Sequence, residues 1–290
     1  MRDGTRMTRS DGYGTERYWA FFNSLNLGTV LCLLAQLWLP SGSPASAEPV
    51  RDSSSVLTGV VDGKQIRAIV SPDTPLTTVA HSLRPEAPNN ALIRIGELRL
   101  GALVFGSPLV TVSRFRPLYD ADPAVNVIVG NDLLAGNKLC VWLQPTRSLK
   151  LLQNRPPLPS GKVTQLPFQL VTRAGESRDA RPESDVESYF AVISVQTRST
   201  GFLKLLLNLQ RPAAVTLTET FLAAHPGIPE EIEILVGDEF VPARWERREM
   251  DTYAWDGWDG FHDGVLGYDF LKNFSQVLVD YQSNQLVLVR

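Results

Sequence analysis

Cysteine is almost missing from this chain, with two in 290 residues, Cys32 and Cys140. Cys32 lies in an N-terminal apolar stretch, so Cys140 has no disulfide partner downstream and the fold must hold without covalent staples. Cys140 sits in the apolar run "KLCVWLQP", where a small buried hydrophobe is expected rather than a nucleophile. Histidine is equally scarce: His81, His225 and His262 are scattered, with no His-Glu-x-x-His pattern, which leaves no zinc site and no metal requirement. There is no Gly-x-Ser-x-Gly elbow and no Gly-x₄-Gly-Lys loop, so serine-hydrolase and nucleotide chemistry lack their usual residues and no cofactor is implied. A formal charge of -3 argues against a nucleic-acid partner, which calls for a basic face. No apolar run long enough to span a bilayer lies beyond the N-terminus.

The N-terminus itself is patterned. Residues 1–19 carry four Arg against three acids, Leu27–Leu39 is a short apolar core, and Ala45 and Ala47 precede Glu48 in an A-x-A arrangement. This pattern predicts a secretory signal peptide over 1–47, cut after Ala47, and an exported product, periplasmic or secreted, with no membrane span after cleavage. An uncleaved N-terminal anchor is the alternative.

Downstream the chain reads as short strands. Val56–Val61 and Gln65–Val70 flank Asp62-Gly63, the composition of a tight hairpin. "ALIRIGELRLGALVF", "PLVTVSRF" and "VNVIVG" follow, then the short helical piece "NDLLAG" and a two-stranded "KLCVWLQPTRSLKLL". Pro156, Pro157 and Pro159 and the polar run Arg173–Asp185 mark a linker with a short strand inside it. The strands then resume. The ends of the two halves match: "VIVGNDLLAGNKLCVWLQPTRSLKLL" and "GVLGYDFLKNFSQVLVDYQSNQLVLV" both read apolar-apolar-Gly-x-Asp, a few helical residues, then two strands. This order predicts two similar small β-domains, 48–152 and 188–290, joined by 153–187.

At these residues the chain resembles the retropepsin-like aspartic peptidases, over most of Val56–Leu152 and Ser188–Arg290. "DGVLGYDFLKNFSQVLVDYQSNQLVLV" looks like the family's Gly-x-Asp-Phe-Leu helix and closing hairpin, and the upstream hairpins fit less specifically. The resemblance implies an all-β fold of two acid-protease lobes in one chain, an intrachain pseudo-dimer with one short helix near the end of each lobe. Such a chain is expected to be a monomer. In that family one Asp per lobe, in Asp-Thr/Ser-Gly, shares a proton with its counterpart across the cleft and activates water.

Aligned on that triplet, the first lobe reads Ser71-Pro72-Asp73 when counted back from "LTTVA", and the second reads Gln210-Arg211-Pro212 when counted back from "VTLT". Neither Ser71 nor Gln210 is an acid. Sliding the first lobe by two gives Asp73-Thr74-Pro75, which makes Asp73 and Thr74 the fallback catalytic pair. The second lobe then still offers only amides, Asn208 and Gln210. A turn residue between prolines is the structural alternative for Asp73.

Two further sets of residues stand out. "DTYAWDGWDGFHDG" lacks the terminal Glu of a calcium loop; Trp255, Trp258 and Phe261 suit a sugar- or peptide-binding loop, with a plain solvated loop as the alternative. Asp132 and Asp269 each open a helix, where the helix dipole favours an acid. The expectation is therefore an exported pseudo-peptidase with a peptide or protein partner in the groove between lobes, the alternative being an active endopeptidase that uses Asp73.

Overall fold

Asp62 and Gly63 both take positive φ, 45° and 82°, the conformation that reverses a chain in two residues. They join β1 (Leu57–Val61) to β2 (Lys64–Val70) with Val61 opposite Lys64. This hairpin opens the compact unit Arg51–Arg290. The computed structural model describes residues 56–114, 124–143, 148–158, 160–171, 189–247 and 261–290. The expected signal peptide, residues 1–47, lies outside them, as do Trp255 and Trp258.

The first half continues with β3 (Thr78–Ala80), β4 (Leu92–Arg94), β5 (Glu97–Leu100), β6 (Leu103–Gly106), β7 (Leu109–Ser113) and β8 (Val127–Val129). These eight form one sheet in the order β4-β7-β3-β8-β2-β1-β5-β6. After α1 (Asn131–Gly136) come β9 (Cys140–Leu143), β10 (Leu149–Leu152) and β11 (Val163–Val171). The remainder is β12 (Phe190–Thr197), β13 (Gly201–Leu207), β14 (Val215–Leu217), α2 (Glu219–Ala224), β15 (Glu231–Val236), β16 (Glu239–Arg247), β17 (Gly264–Leu266), α3 (Tyr268–Leu271), β18 (Gln276–Asp280) and β19 (Gln285–Val289).

The fold is mainly β, with two barrel-like sheets and three short helices. The second sheet has eleven strands, β10-β9-β18-β19-β11-β12-β13-β17-β14-β16-β15, and a Thr197–Ile234 pairing of β12 with β15 closes part of it into a ring. Sequence reading expects one helix per lobe, near its end. The additional helix is α2, started by Thr218, whose hydroxyl accepts from the Phe221 N–H at 3.2 Å.

One pairing scheme occurs twice. β2 runs parallel to β8, β8 antiparallel to β3, and β3 parallel to β7. In the second half β13 runs parallel to β17, β17 antiparallel to β14, and β14 parallel to β16. The duplication read in the sequence is thus present in the backbone. The hairpins do not stay with their own halves: β9 pairs with β18, and β11, from the expected linker, lies between β19 and β12. One apolar cluster runs through both sheets, from Val61 to Leu288. Each large side chain buried in it, such as Leu98 or Phe270, contributes about 2–3 kcal/mol.

Candidate functional site

The two loops that follow β2 and β13 are held by matching hydrogen bonds. Ser71 N–H donates to Val129 O at 3.0 Å and Asn208 N–H to Leu266 O at 2.9 Å. Asn131 N–H donates to Thr74 O at 2.9 Å, and Tyr268 N–H to Arg211 O at 2.8 Å. A single sequence offset relates all these pairs, so Ser71 corresponds to Asn208 and Asp73 to Gln210. Pairing Ser71 with Gln210, as sequence reading does, is out by two residues. Strand side chains repeat every second residue, so "LTTVA" and "VTLT" superpose equally well after a two-residue slip. Only the backbone register separates the alternatives.

Glycine lets each loop close on the strand beside it. A Cβ on Gly130 would lie 2.8 Å from Thr74 O and 2.7 Å from Leu76 C, and one on Gly267 would lie 2.2 Å from Ala213 O. These are the glycines of the two repeated apolar-apolar-Gly-x-Asp motifs.

Between the loops stands Asp73, 2% exposed. Ser71 Oγ donates to its Oδ1, and Asn208 Nδ2, from the opposite loop, donates to its Oδ2 at 2.5 Å. Asn208 is itself fully buried, and its Oδ1 accepts from Gln210 N–H at 2.8 Å and Arg211 N–H at 2.9 Å. Of the expected residues, Ser71 and Asp73 meet here. Thr74 contributes backbone, its N–H donating to Ser71 O at 2.9 Å. Gln210 is half-buried and supplies its N–H to Asn208; the amide that reaches Asp73 belongs to Asn208. The available signal for Asn208 was its place directly after an apolar strand, matching Ser71 after β2.

Burial pushes the Asp73 carboxyl above the ordinary carboxylate range, against the hydrogen bonds from Ser71 and Asn208 and the charge of Arg211, which favour ionisation. The site therefore holds one carboxyl and one amide. An amide does not titrate, so this pair cannot share a proton as two carboxylates do.

A folded-state pKa above the unfolded value means stability that is complete below the unfolded value and lost as pH rises through the folded one. Asp73→Asn removes that loss. The new amide accepts from Asn208 through its oxygen and donates to Ser71 Oγ through its nitrogen. Thermal unfolding followed from pH 4 to 8 is expected to show the variant's midpoint above wild type at pH 7–8 and close to it at pH 4. A variant midpoint below wild type at pH 8 would show that the ionised carboxylate is the stabilising form.

The two helix-opening acids differ. Asp132 Oδ1 accepts from both Thr77 N–H and Thr77 Oγ1 at 2.8 Å, tying α1 to the start of β3. Burial raises its carboxyl to about 6 despite those bonds. Asp269 is paired with Lys272 at 2.8 Å on the surface. Both lie in a first helical turn, as expected, but Asp132 also acts as a tertiary tie.

Phe261 packs on Phe190 with ring centroids 5.3 Å apart, beside Val171, Val192, Leu206 and Val265. It covers a satellite core, which accounts for its ring without a ligand. Cys140 is buried, and burial first, then the neighbouring Asp280, pushes its thiol up to about 12; a thiolate nucleophile is not available there. Among the described residues no group of three or more His, Cys, Asp or Glu side chains is placed to hold a metal ion. Nor is any helix among them long and apolar enough to cross a membrane. No protein-family model and no curated protein sequence matches this chain.

Proposed function

We propose that this chain is an exported, two-lobed protein of the retropepsin-like acid-protease fold that has no peptidase activity and holds an extended peptide or protein segment between its lobes. The observation that carries this reading is the pairing of Asp73 with Asn208, a carboxyl facing an amide where a peptidase needs two carboxyls. Three features support the fold assignment: the repeated strand pairing, the two glycine-backed loops, and the β9–β18 pairing that joins the halves. The N-terminal apolar stretch with its A-x-A exit supports export. Burial supports inactivity independently, since Asp73 at 2% exposure offers almost no surface to a water and a peptide carbonyl.

The second reading, an endopeptidase using Asp73, draws on the same carboxyl, whose elevated protonation suits a general acid. A peptide-library cleavage assay on the full chain from pH 3 to 7, with Asp73→Asn in parallel, separates the two. The expected result is peptide retention without cleavage, identical in both proteins. Pepstatin-sensitive cleavage that disappears in Asp73→Asn would replace the first reading with the second.

A further inference from the structure

Asn131 occupies a position no catalytic scheme calls on, yet it is 1% exposed and every polar atom of its carboxamide is engaged. Its Nδ2 donates to Pro72 O at 2.5 Å and to Tyr189 O at 2.9 Å, while its Oδ1 accepts from Tyr281 OH at 2.6 Å. Pro72 is the residue between Ser71 and Asp73. Tyr189 leads into β12, and Tyr281 follows β18. One side chain therefore ties the Asp73 loop of the first half to two elements of the second.

We propose that Asn131 is the positioning residue of this junction: its carboxamide pins the Ser71–Thr74 loop against the second half and so sets the geometry in which Asp73 meets Asn208. The chemistry is selective. Two carbonyl oxygens converge on the nitrogen and one hydroxyl on the oxygen, a pattern that only an amide of this length satisfies. Asp would set a carboxylate oxygen against two carbonyls. Leu would take the amide donor from Pro72 O and Tyr189 O and the acceptor from the Tyr281 hydroxyl, and each such loss at a buried polar group is costly.

The surroundings hold the amide in this orientation. The Tyr281 ring stands edge-on to Phe168 of β11 at 5.3 Å, and Tyr281 N–H donates to Leu139 O at 3.1 Å. Asn131 N–H also donates to Thr74 O, so both ends of the Asp73 loop are anchored on one residue. Ala191 N–H, at 3.4 Å from Pro72 O, adds a second and longer tie between β12 and the same carbonyl. Tyr268, the matching residue of the second half, makes the equivalent backbone bond to Arg211 O but carries no carboxamide. The clamp therefore exists once and works across the halves. It stands apart from what the lobes hold between them.

The test reads Asp73 itself. Its side-chain carboxyl carbon is followed by NMR through a pH titration of the full chain, together with the Asn208 side-chain NH₂ resonances, in wild type, Tyr281→Phe and Asn131→Asp. The titratable or charged groups that interact with Asp73 are Arg211 on the opposite loop and Tyr281 after β18. Wild type is expected to titrate above an ordinary carboxyl. Tyr281→Phe removes only the hydroxyl that orients the amide, and is expected to move the Asp73 midpoint toward the ordinary value by about half a unit or more and to shift the Asn208 NH₂ signals. Asn131→Asp adds a like charge beside the same loop that opposes this shift of the midpoint, so it is read through the Asn208 NH₂ signals, which are expected to move at neutral pH and to recover in part on acidification, when a protonated carboxyl regains one donor. Should Asn131→Asp fail to fold, Tyr281→Phe carries the test. A folded Tyr281→Phe with an unchanged Asp73 midpoint and unmoved Asn208 signals would reduce Asn131 to a structural tie and overturn the proposal.

Discussion

Asn208→Asp is expected to make this protein acid-loving. The substitution sets a second carboxyl against Asp73 Oδ2, where an amide now donates at 2.5 Å. Two carboxylates at such a distance cannot both ionise in a buried site, so the pair keeps one proton to well above the ordinary carboxyl range. The sign follows from linkage: the shared proton stabilises the folded chain fully below the unfolded carboxyl value, and that stability is lost as pH rises through the raised one. A rise of about 2–3 units, at about 1.4 kcal/mol each, amounts to roughly 3–4 kcal/mol between pH 4 and pH 8. Denaturant unfolding at the two pH values measures it. Near-equal stability of the variant at pH 4 and pH 8 would mean that the loops part and let water separate the carboxyls.

Gly267→Ala is expected to be among the most damaging single methyl additions in the chain's second half. The residue sits at φ -109°, so its backbone conformation is open to any residue. The obstacle is steric, because the added Cβ would meet Ala213 O at 2.2 Å and Arg211 O at 2.9 Å. Both are backbone atoms of the Asn208 loop and cannot turn aside as a side chain can. Moving that loop also moves the Tyr268 N–H to Arg211 O and Gly267 N–H to Ala214 O bonds, 2.8 and 3.0 Å. A cost of about 3 kcal/mol is the expected scale for such overpacking, or a fall of about 6–12 °C in the unfolding midpoint for a domain of this size. Gly136→Ala is the control. That glycine ends α1 with nothing within 4 Å of its would-be Cβ, and the change should stay within about 0.5 kcal/mol. Equal midpoints for the two variants would show that the Asn208 loop has room to retreat.

Local pattern carried much of the architecture. Asp62-Gly63 announced the first hairpin, because few residue pairs adopt two successive positive φ angles without strain. "NDLLAG" announced α1, and the matched Gly-x-Asp motifs announced the duplication that the strand pairings repeat. Less legible was α2, whose signal is a single cap, Thr218, at the end of a β-branched run that reads as strand. The pairing of β9 with β18 and of β11 with β19 was beyond reach, since strand alternation states which face is buried and not which neighbour lies alongside.

The sequence by itself determined that no second acid could stand opposite Asp73, because the residues available after β13 are Asn208 and Gln210. Which of those amides reaches the carboxyl was decided only by tertiary structure. A period of two cannot distinguish registers two residues apart, whereas the hydrogen bonds from Ser71 to Val129 and from Asn208 to Leu266 can. Tertiary structure also decided the role of Asn131, an inconspicuous residue at the head of α1. Its partners Pro72, Tyr189 and Tyr281 are remote in sequence and come together only when the two halves close on one core.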